Sequence, residues 1–383
     1  MTAAEILLVL PFAGLLVQGF RPPGAWAGGA CAVWAAAWAA RRRLDWRPLA
    51  VWLPWLAWAA LAALLSGQPF KSLPALSRWA AGLAFLAMAP QLWEQQHRRW
   101  WLRALLVAGP LLAAAALFTG LNHFAQWGAG TGFTGLLPPY YNYTAFVEAA
   151  AFAAAAAALG RAGESGAPRR SWLWGVLIAC ATMLVLSRAR AALLAALCGA
   201  AAAAWRQRRG RQLAAAVAVL VLAAAAVTAV AAARSGAGPG YLLKLELSSG
   251  FKRPALWSAA VRAVAQRPWL GEGPGQFEKG LRRQLFEAGI GPARYGHSSE
   301  HAHSEPVEIA VETGLAGLLL FAAALALTLG RPAVSLEGEA ALAAAVAMAA
   351  HCLVDNMLHI PSLALLLFSA LACARPREAR PGA

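Results

Sequence analysis

Apolar residues run in long blocks, at 3–19, 24–40, 48–65, 76–93, 101–120, 139–159, 171–187, 190–205, 212–233, 306–329, 339–354 and 359–373, separated by short polar or arginine-rich breaks. An α-helix needs roughly 20 residues to cross the hydrocarbon of a bilayer, so each block is of the right order. With no water there to satisfy the backbone, each block must be helical. The pattern predicts an all-α polytopic membrane protein of about 12 transmembrane helices. Alanine-rich stretches such as 149–158 and 200–204 fit this reading. Alanine is the best helix former, and small side chains let membrane helices approach closely.

One long stretch, 234–305, cannot sit in a bilayer, and it divides the chain into nine predicted spans over 1–233, a large loop, and three spans with a short tail over 306–383. Within the loop, 252–266 carries Ala255, Leu256, Ala259, Ala260, Ala263 and Val264 at helical spacing, which predicts an amphipathic helix ending at Arg267-Pro268. The Leu270-Gly271-Glu272-Gly273-Pro274-Gly275 run reads as turns, 276–287 as a second short basic helix, and 289–299 as irregular.

Composition narrows the class. Hydrophobic residues make up 60% of the 383, charged residues 13%, and the mean hydropathy is +0.55, outside the range of a soluble globular domain. The net charge of +16 raises the question of nucleic acid, but most arginines lie in tight clusters between apolar blocks, which is the positive-inside signature, and no nucleic-acid partner is expected. Clusters at 41–47, 98–103, 161–170, 206–211 and 375–380 fall on one side if the spans alternate, which places that side and both termini in the cytoplasm. The large loop falls opposite, with ten basic against five acidic residues between Arg234 and His303. Long loops translocate largely regardless of charge, so this basic excess leaves the topology intact and suits an anionic substrate at a membrane surface. The first apolar run, Ile6 to Val17, is preceded by Glu5 and no basic residue and lacks a small-residue cleavage site, so it reads as a retained helix. Cys31, Cys180, Cys198, Cys352 and Cys373 lie within apolar blocks at unrelated spacings, which argues against a disulfide framework or a CxxC motif.

Four groups of residues could carry chemistry. Arg188 and Arg190 stand at the junction of the seventh and eighth blocks, where an arginine either pairs with an anion or snorkels to the headgroups. Lys252 and Arg253, followed by Trp257 and Arg262, could grip a diphosphate through forked guanidinium groups, or lie on anionic lipid as an ordinary basic helix. His301 and His303 sit where the chain returns to the bilayer, and partial burial there suits an imidazole to general-base work. Their i, i+2 spacing does not make a helical zinc pair, although Glu305 and Glu308 nearby keep a metal conceivable. His351, Asp355 and His359, spaced by four and four, would share one helix face as a hydrogen-bonded network or a support for catalysis. The chain has no strand-linked glycine phosphate loop, no GxSxG elbow and no paired carboxylates outside the membrane for metal-dependent nucleotide-sugar chemistry.

Three stretches stand in order: Ser187-Arg188-Ala189-Arg190-Ala191-Ala192-Leu193; Arg253-x-x-x-Trp257 followed by Pro268-Trp269-Leu270-Gly271-Glu272-Gly273-Pro274-Gly275-Gln276-Phe277; and His303-Ser304-Glu305-Pro306 with Val311-Glu312-Thr313-Gly314-Leu315-Ala316-Gly317. Together they resemble the bacterial O-antigen ligase and polymerase superfamily. The similarity covers about residues 180–330, with Ser304 where the family usually has Asn and Glu305-Pro306 where it has a more apolar helix start. The resemblance implies a GT-C-like membrane glycosyltransferase of the bacterial inner membrane, multi-pass and active on the periplasmic side. It would move a glycan from undecaprenyl diphosphate to an acceptor hydroxyl by inversion, without metal or other cofactor. It also implies that Arg188, Arg190 and Arg253 hold the diphosphate, with Lys252 and Arg262 as further cations, and that His303 deprotonates the acceptor. His301, Trp257, Glu312, His351 and Asp355 take supporting places. A lipid A-core acceptor defines a ligase, a second lipid-linked repeat a polymerase, and a protein serine an O-oligosaccharyltransferase. A secondary transporter is the reading from another class, with Glu148 as its mid-span carboxylate.

Overall fold

A computed structural model describes residues 2–16, 32–34, 36, 46, 49–127, 141–187, 189–235, 252–287, 301–331 and 333–375. The described residues are overwhelmingly helical, and the chain is a polytopic all-α membrane protein. The helices are α1 (Ala3–Leu16), α2 (Leu53–Leu64), α3 (Pro69–Leu92), α4 (Gln95–Trp127), α5 (Tyr141–Gly160), α6 (Arg170–Leu186), α7 (Arg190–Arg206) and α8 (Gly210–Ser235). The loop contributes α9 (Lys252–Gln266) and α10 (Phe277–Glu287), and the last part contributes α11 (Glu305–Leu329), α12 (Leu336–Cys352) and α13 (Pro361–Ala374). Most of the expected block 24–40, the irregular stretch 289–299 and Arg188 lie outside the described residues.

Four described helices are long and apolar enough to cross a bilayer alone, namely Pro69–Leu92, Gln95–Leu117, Tyr143–Gly160 and Glu305–Leu329. Shorter apolar helices accompany them at Ala3–Leu15, Leu53–Leu64, Arg170–Leu186, Leu213–Ala229 and Pro361–Ala374. Two helices start earlier than hydropathy alone suggests. Pro69 and Phe70 open α3 because a proline at a helix start loses only a backbone donor that had no partner anyway. The arginine-rich start of α4 stays helical because its polar face meets α12 across Arg99 and Glu337.

The centre is built from small residues. Ala149–Ala158 of α5 are buried throughout, and α5, α7 and α12 pack on one another there. Gly199 of α7 shows why, because a Cβ at that position would lie 2.6 Å from the Ala153 methyl and 2.9 Å from that of Ala347. Bulk is concentrated in one aromatic cluster that joins α2, α3, α11 and α13. Trp55 stacks edge-on to Trp79 at 4.9 Å and to Phe321 at 5.3 Å, and Trp52 meets Phe321 at 5.6 Å. Such pairs add about 0.5–1.5 kcal/mol each beyond the area they bury. The Trp52 indole donates to Thr328 Oγ1 at 3.0 Å, so its polar atom is also satisfied.

Among the described residues, arginines of the 98–103, 206–211 and 375–380 clusters meet partners at one end of the bundle. Arg99 pairs with Glu337 at 3.3 Å and lies beside Gly166, Arg206 pairs with Glu339 at 3.3 Å, and buried Arg98 donates to the carbonyls of Cys373 and Arg375. The polar residues of the loop and of the α12–α13 connection gather elsewhere, around the start of α11.

Candidate active site at the start of α11

The helix α11 is not continuous, contrary to the apolar block that predicted it. Gly314 has φ 72° and ψ 178°, which interrupts the ladder. The freed carbonyls are taken up by the loop between α9 and α10. Glu272 N–H donates to Val311 O at 2.9 Å and Gly273 N–H to Glu312 O at 2.8 Å, while Leu315 N–H donates to Pro268 O at 2.8 Å. The glycines make this docking possible. Gly271 and Gly273 have φ of 65° and 104°, and a Cβ on Gly271 would lie 2.5 Å from the Val311 oxygen. The Pro268–Gly275 run is thus a backbone-to-backbone lock on the broken helix.

A buried carboxylate anchors the same loop. Glu272 is surrounded by Arg283 at 3.1 Å and by Arg267 and Lys279 at 3.6 Å each. Arg282 pairs with Glu278 at 2.6 Å, and Arg262 is exposed on the outer side of α9. The side chain of Lys252 lies outside what is described, and Arg190 opens α7 at an exposed position.

Four residues before α11, the chain turns through His301-Ala302-His303-Ser304. His303 has φ 50°, a left-handed conformation that a residue with a Cβ rarely adopts. Strained backbone of this kind persists where the surroundings over-determine it, and it concentrates at functional sites. Four contacts fix the turn. The Trp257 indole of α9 donates to Ala302 O at 2.9 Å, and Ser304 Oγ donates to Leu353 O at 2.9 Å. Ala302 N–H donates to Glu308 Oε2 at 3.0 Å, and His303 Nδ1 faces Asp355 Oδ1 at 3.4 Å. The carboxylate makes His303 Nδ1 the donor and leaves Nε2 as the acceptor on a side chain that is 43% exposed.

Asp355 is itself 4% exposed, and its Oδ1 also accepts from Asn356 N–H at 2.9 Å. Burial would push its carboxyl up, but the His303 hydrogen bond, the neighbouring His351 and the Asn356 N–H together hold it below its ordinary value. Arg253 reaches the same segment, donating through Nη1 to Val354 O at 3.0 Å. Arg253 and Trp257 of α9 thus hold two short lengths of chain, 302–304 and 353–355, which the His303–Asp355 and Ser304–Leu353 contacts join.

The expected single face of His351, Asp355 and His359 does not form. The helix α12 ends at Cys352, and residues 353–360 run irregularly with one 3-10 turn, Met357–His359. His351 stays buried in α12 against Phe146 at 5.7 Å, Asp355 goes to His303, and His359 turns toward α11. The i, i+4 spacing failed as a guide because Pro361 starts a new helix and the intervening residues are drawn to the polar start of α11.

That start is a charged cluster which spacing alone did not expose. His359 Nδ1 lies 3.3 Å from Glu305 Oε1, His359 Nε2 lies 3.0 Å from Glu308 Oε1, and His301 Nδ1 lies 2.8 Å from the same Glu308 oxygen. Glu305 Oε1 also accepts Leu358 N–H at 2.6 Å. Burial opposes a charge on His359, yet Glu308 and Glu305 hold its imidazole well above the usual range. Arg78 of α3 donates to His359 O at 3.3 Å and stands in the field of Glu312, Glu305 and Glu308. Its signal in the sequence is an arginine inside an apolar block, which is expensive unless it faces protein. Glu312 is buried one turn further along α11, near Gly275 and Arg78.

Beside this site an apolar groove of about 420 Å³ runs between α9 and α11, lined by Ala260, Val261, Val264, Pro306, Val307 and Leu318 among others.

An all-helical polytopic membrane protein with a histidine–carboxylate site at a broken helix is thereby defined. Residues 175–322 match the family model described as O-antigen ligase, which supports the resemblance of residues 180–330 to the O-antigen ligase superfamily; that family implies a membrane enzyme of the glycosyltransferase kind. The match takes in Arg190, Arg253, Trp257, His301, His303 and the broken helix through Gly314, while Arg78, Asp355 and His359 lie outside it. A comparison with curated proteins gives no match.

Proposed function

We propose that this protein transfers a glycan from undecaprenyl diphosphate to an acceptor hydroxyl, that of lipid A-core, at the periplasmic face of the bacterial inner membrane. The observation that carries this reading is the His303–Asp355 contact at 3.4 Å, held on a strained turn beside Arg253. Asp355 keeps the His303 Nδ1–H in place, so Nε2 accepts the proton of the acceptor hydroxyl. The acceptor oxygen attacks the anomeric carbon in line, the bond from that carbon to the diphosphate oxygen breaks, and the configuration inverts. The leaving group departs as a lipid diphosphate whose developing charge Arg253, with Arg188 and Arg190, neutralises. These cations serve the transfer step without a metal at the diphosphate. The apolar groove between α9 and α11 suits the isoprenoid chain of the donor, since its lining is apolar throughout.

Twelve spans with both termini cytoplasmic put the site on the outer side, in keeping with the arginine clusters gathered at the other end of the bundle. The test is a knockout followed by gel analysis of surface glycans, with the wild type and His303→Ala returned on plasmids. Loss of all capped core, restored by the wild type only, supports the ligase. A single-repeat cap points to a polymerase, and unchanged glycans with lost protein glycosylation to an O-oligosaccharyltransferase. Unchanged glycans and glycoproteins together would end the transferase reading.

A further inference from the structure

The cluster at the start of α11 has the form of a metal site. Three side-chain atoms, His301 Nδ1, Glu308 Oε1 and His359 Nε2, lie within 4.8 Å of one another. Each comes from a different segment: the turn before α11, the first turn of α11, and the Met357–His359 turn. Ligand atoms around a tetrahedral ion at zinc distances stand about 3.3 Å apart, so the pairs at 2.8 and 3.0 Å need open by only about half an ångström.

Two further observations point to a ligand there. His359 Nε2, although 3.0 Å from the carboxylate, makes no hydrogen bond of acceptable geometry, and Glu305 Oε2 beside it is likewise buried without a partner among the described residues. The outer contacts are also those a metal site needs. His359 turns its other nitrogen, Nδ1, to Glu305 Oε1 at 3.3 Å, which is the carboxylate–histidine arrangement that fixes the tautomer of a ligating imidazole. Glu308 Oε2 is held by Ala302 N–H at 3.0 Å, leaving Oε1 to face the two histidines. Glu308 is 1% exposed and His359 9%, whereas His301 is 37% exposed, so the site is walled on two sides and open at one.

We propose that His301, Glu308 and His359 bind a divalent first-row transition metal, zinc by ligand set, with water in the remaining position. Two imidazoles and one carboxylate suit zinc better than magnesium or calcium, which take all-oxygen shells. The ion takes the place of protons on the histidines and fastens the turn that carries His303 to the α12–α13 connection that carries Asp355. The inference rests on side-chain geometry and stands apart from the glycosyl-transfer reading.

The test uses the full-length protein, purified in detergent with a tag free of histidine and dialysed against micromolar Zn2+. Elemental analysis is expected to find about one zinc per chain. Co2+-loaded protein is expected to show the visible absorption of a four-coordinate ion, and the melting temperature is expected to fall on chelation and recover with Zn2+. His301→Ala, at the open side, and Glu308→Gln, which keeps the side-chain shape, should each lose the metal and the chelator response while remaining folded by circular dichroism. Wild-type protein without bound zinc or the cobalt spectrum overturns the proposal, as does metal retained equally by His301→Ala and Glu308→Gln. Glycan transfer is scored separately: bound zinc without transfer leaves the metal site standing and ends the transferase reading, and transfer by a wild type that never takes up zinc does the reverse.

Discussion

Gly314 lies directly under the Trp269 carbonyl, with φ 72°, at the point where α11 breaks. The relationship explains why a glycine-rich loop and a glycine inside an apolar helix belong together. Each supplies the backbone donors or acceptors that the other leaves free, through Val311, Glu312 and Leu315. A side chain at Gly314 meets both a disfavoured dihedral and a neighbouring carbonyl. Gly314→Ala is expected to destabilise the protein by about 2 kcal/mol or more, since extended backbone at positive φ, open essentially to glycine alone, costs about 1–3 kcal/mol before the clash with the carbonyl is added. Thermal melting in detergent checks this, and a melting temperature equal to the wild type would show that the break is dispensable.

Asp355 orients His303 and does not itself touch the acceptor in the proposed reaction. Asp355→Asn keeps the shape but offers an amide that can present a donor to Nδ1 and so favour the wrong tautomer. A fall of about 10²–10⁴ in kcat is expected for His303→Ala, the range of a lost general base, and a smaller fall for Asp355→Asn, with donor KM little changed in either. Single-turnover assays with lipid-diphosphate donor in nanodiscs measure both. Equal rates for wild type and Asp355→Asn would remove the dyad.

The same pair sets a pH dependence. The carboxyl of Asp355 is depressed in the folded protein, so its contribution to stability is fully present above its unfolded value near 3.8 and is lost as pH falls through the lower folded value. Between pH 5 and 8 Asp355 is ionised throughout, and acidification over that range does not mimic Asp355→Asn. Wild type should therefore keep its stability advantage over Asp355→Asn from pH 8 down to 5, and the two should converge only below about 4. Convergence already by pH 6 would contradict the depressed carboxyl.

These tests bear on what could be read from the chain alone. The described apolar helices and α9 were legible because lipid leaves unbroken apolar runs in the residues themselves and amphipathic packing leaves a period of 3.6. His303, Arg253 and Trp257 were legible as motif residues beside a loop that lipid cannot accept. The partners were not. Asp355 lies 52 residues from His303, and the contact exists because α12 stops at Cys352, which the regular spacing of 351, 355 and 359 concealed. The break at Gly314 was hidden for a similar reason, since one glycine in an apolar block carries no local sign that another loop supplies the missing backbone partners. Arg78 stood in the sequence inside the apolar block 76–93, near its start and 227 positions before Glu305. Only the packing of α3 and the α12–α13 turn against α11 gives it a role.

Arg253 illustrates how charge and shape separate. Its guanidinium donates to Val354 O at 3.0 Å, which leaves other N–H groups of the fork for a diphosphate. Arg253→Lys keeps the charge but cannot hold the carbonyl and bind two phosphate oxygens together. Donor KM is expected to rise about tenfold or more, with Arg253→Ala losing more, as lost charge-assisted bonds of about 1.5–3 kcal/mol imply. Donor titrations at fixed acceptor decide it, and an unchanged donor KM in Arg253→Lys would assign the residue to structure alone.

Arg78 is the cation that faces Glu305, Glu308 and Glu312 from α3. Its Nε is enclosed, although the residue as a whole is only half-buried. Removing one partner of a fully buried ion pair costs about 3–5 kcal/mol, and partial exposure reduces that, so Arg78→Met should cost about 2 kcal/mol. Most of that loss comes from carboxylate charge left without compensation, and removing one negative charge should restore part of it. Arg78→Met with Glu312→Gln is therefore expected to melt above Arg78→Met alone, while Glu312→Gln in the wild type has a smaller effect. Additive losses in this double-mutant cycle would show that Arg78 acts through its His359 carbonyl contact and not through the glutamates.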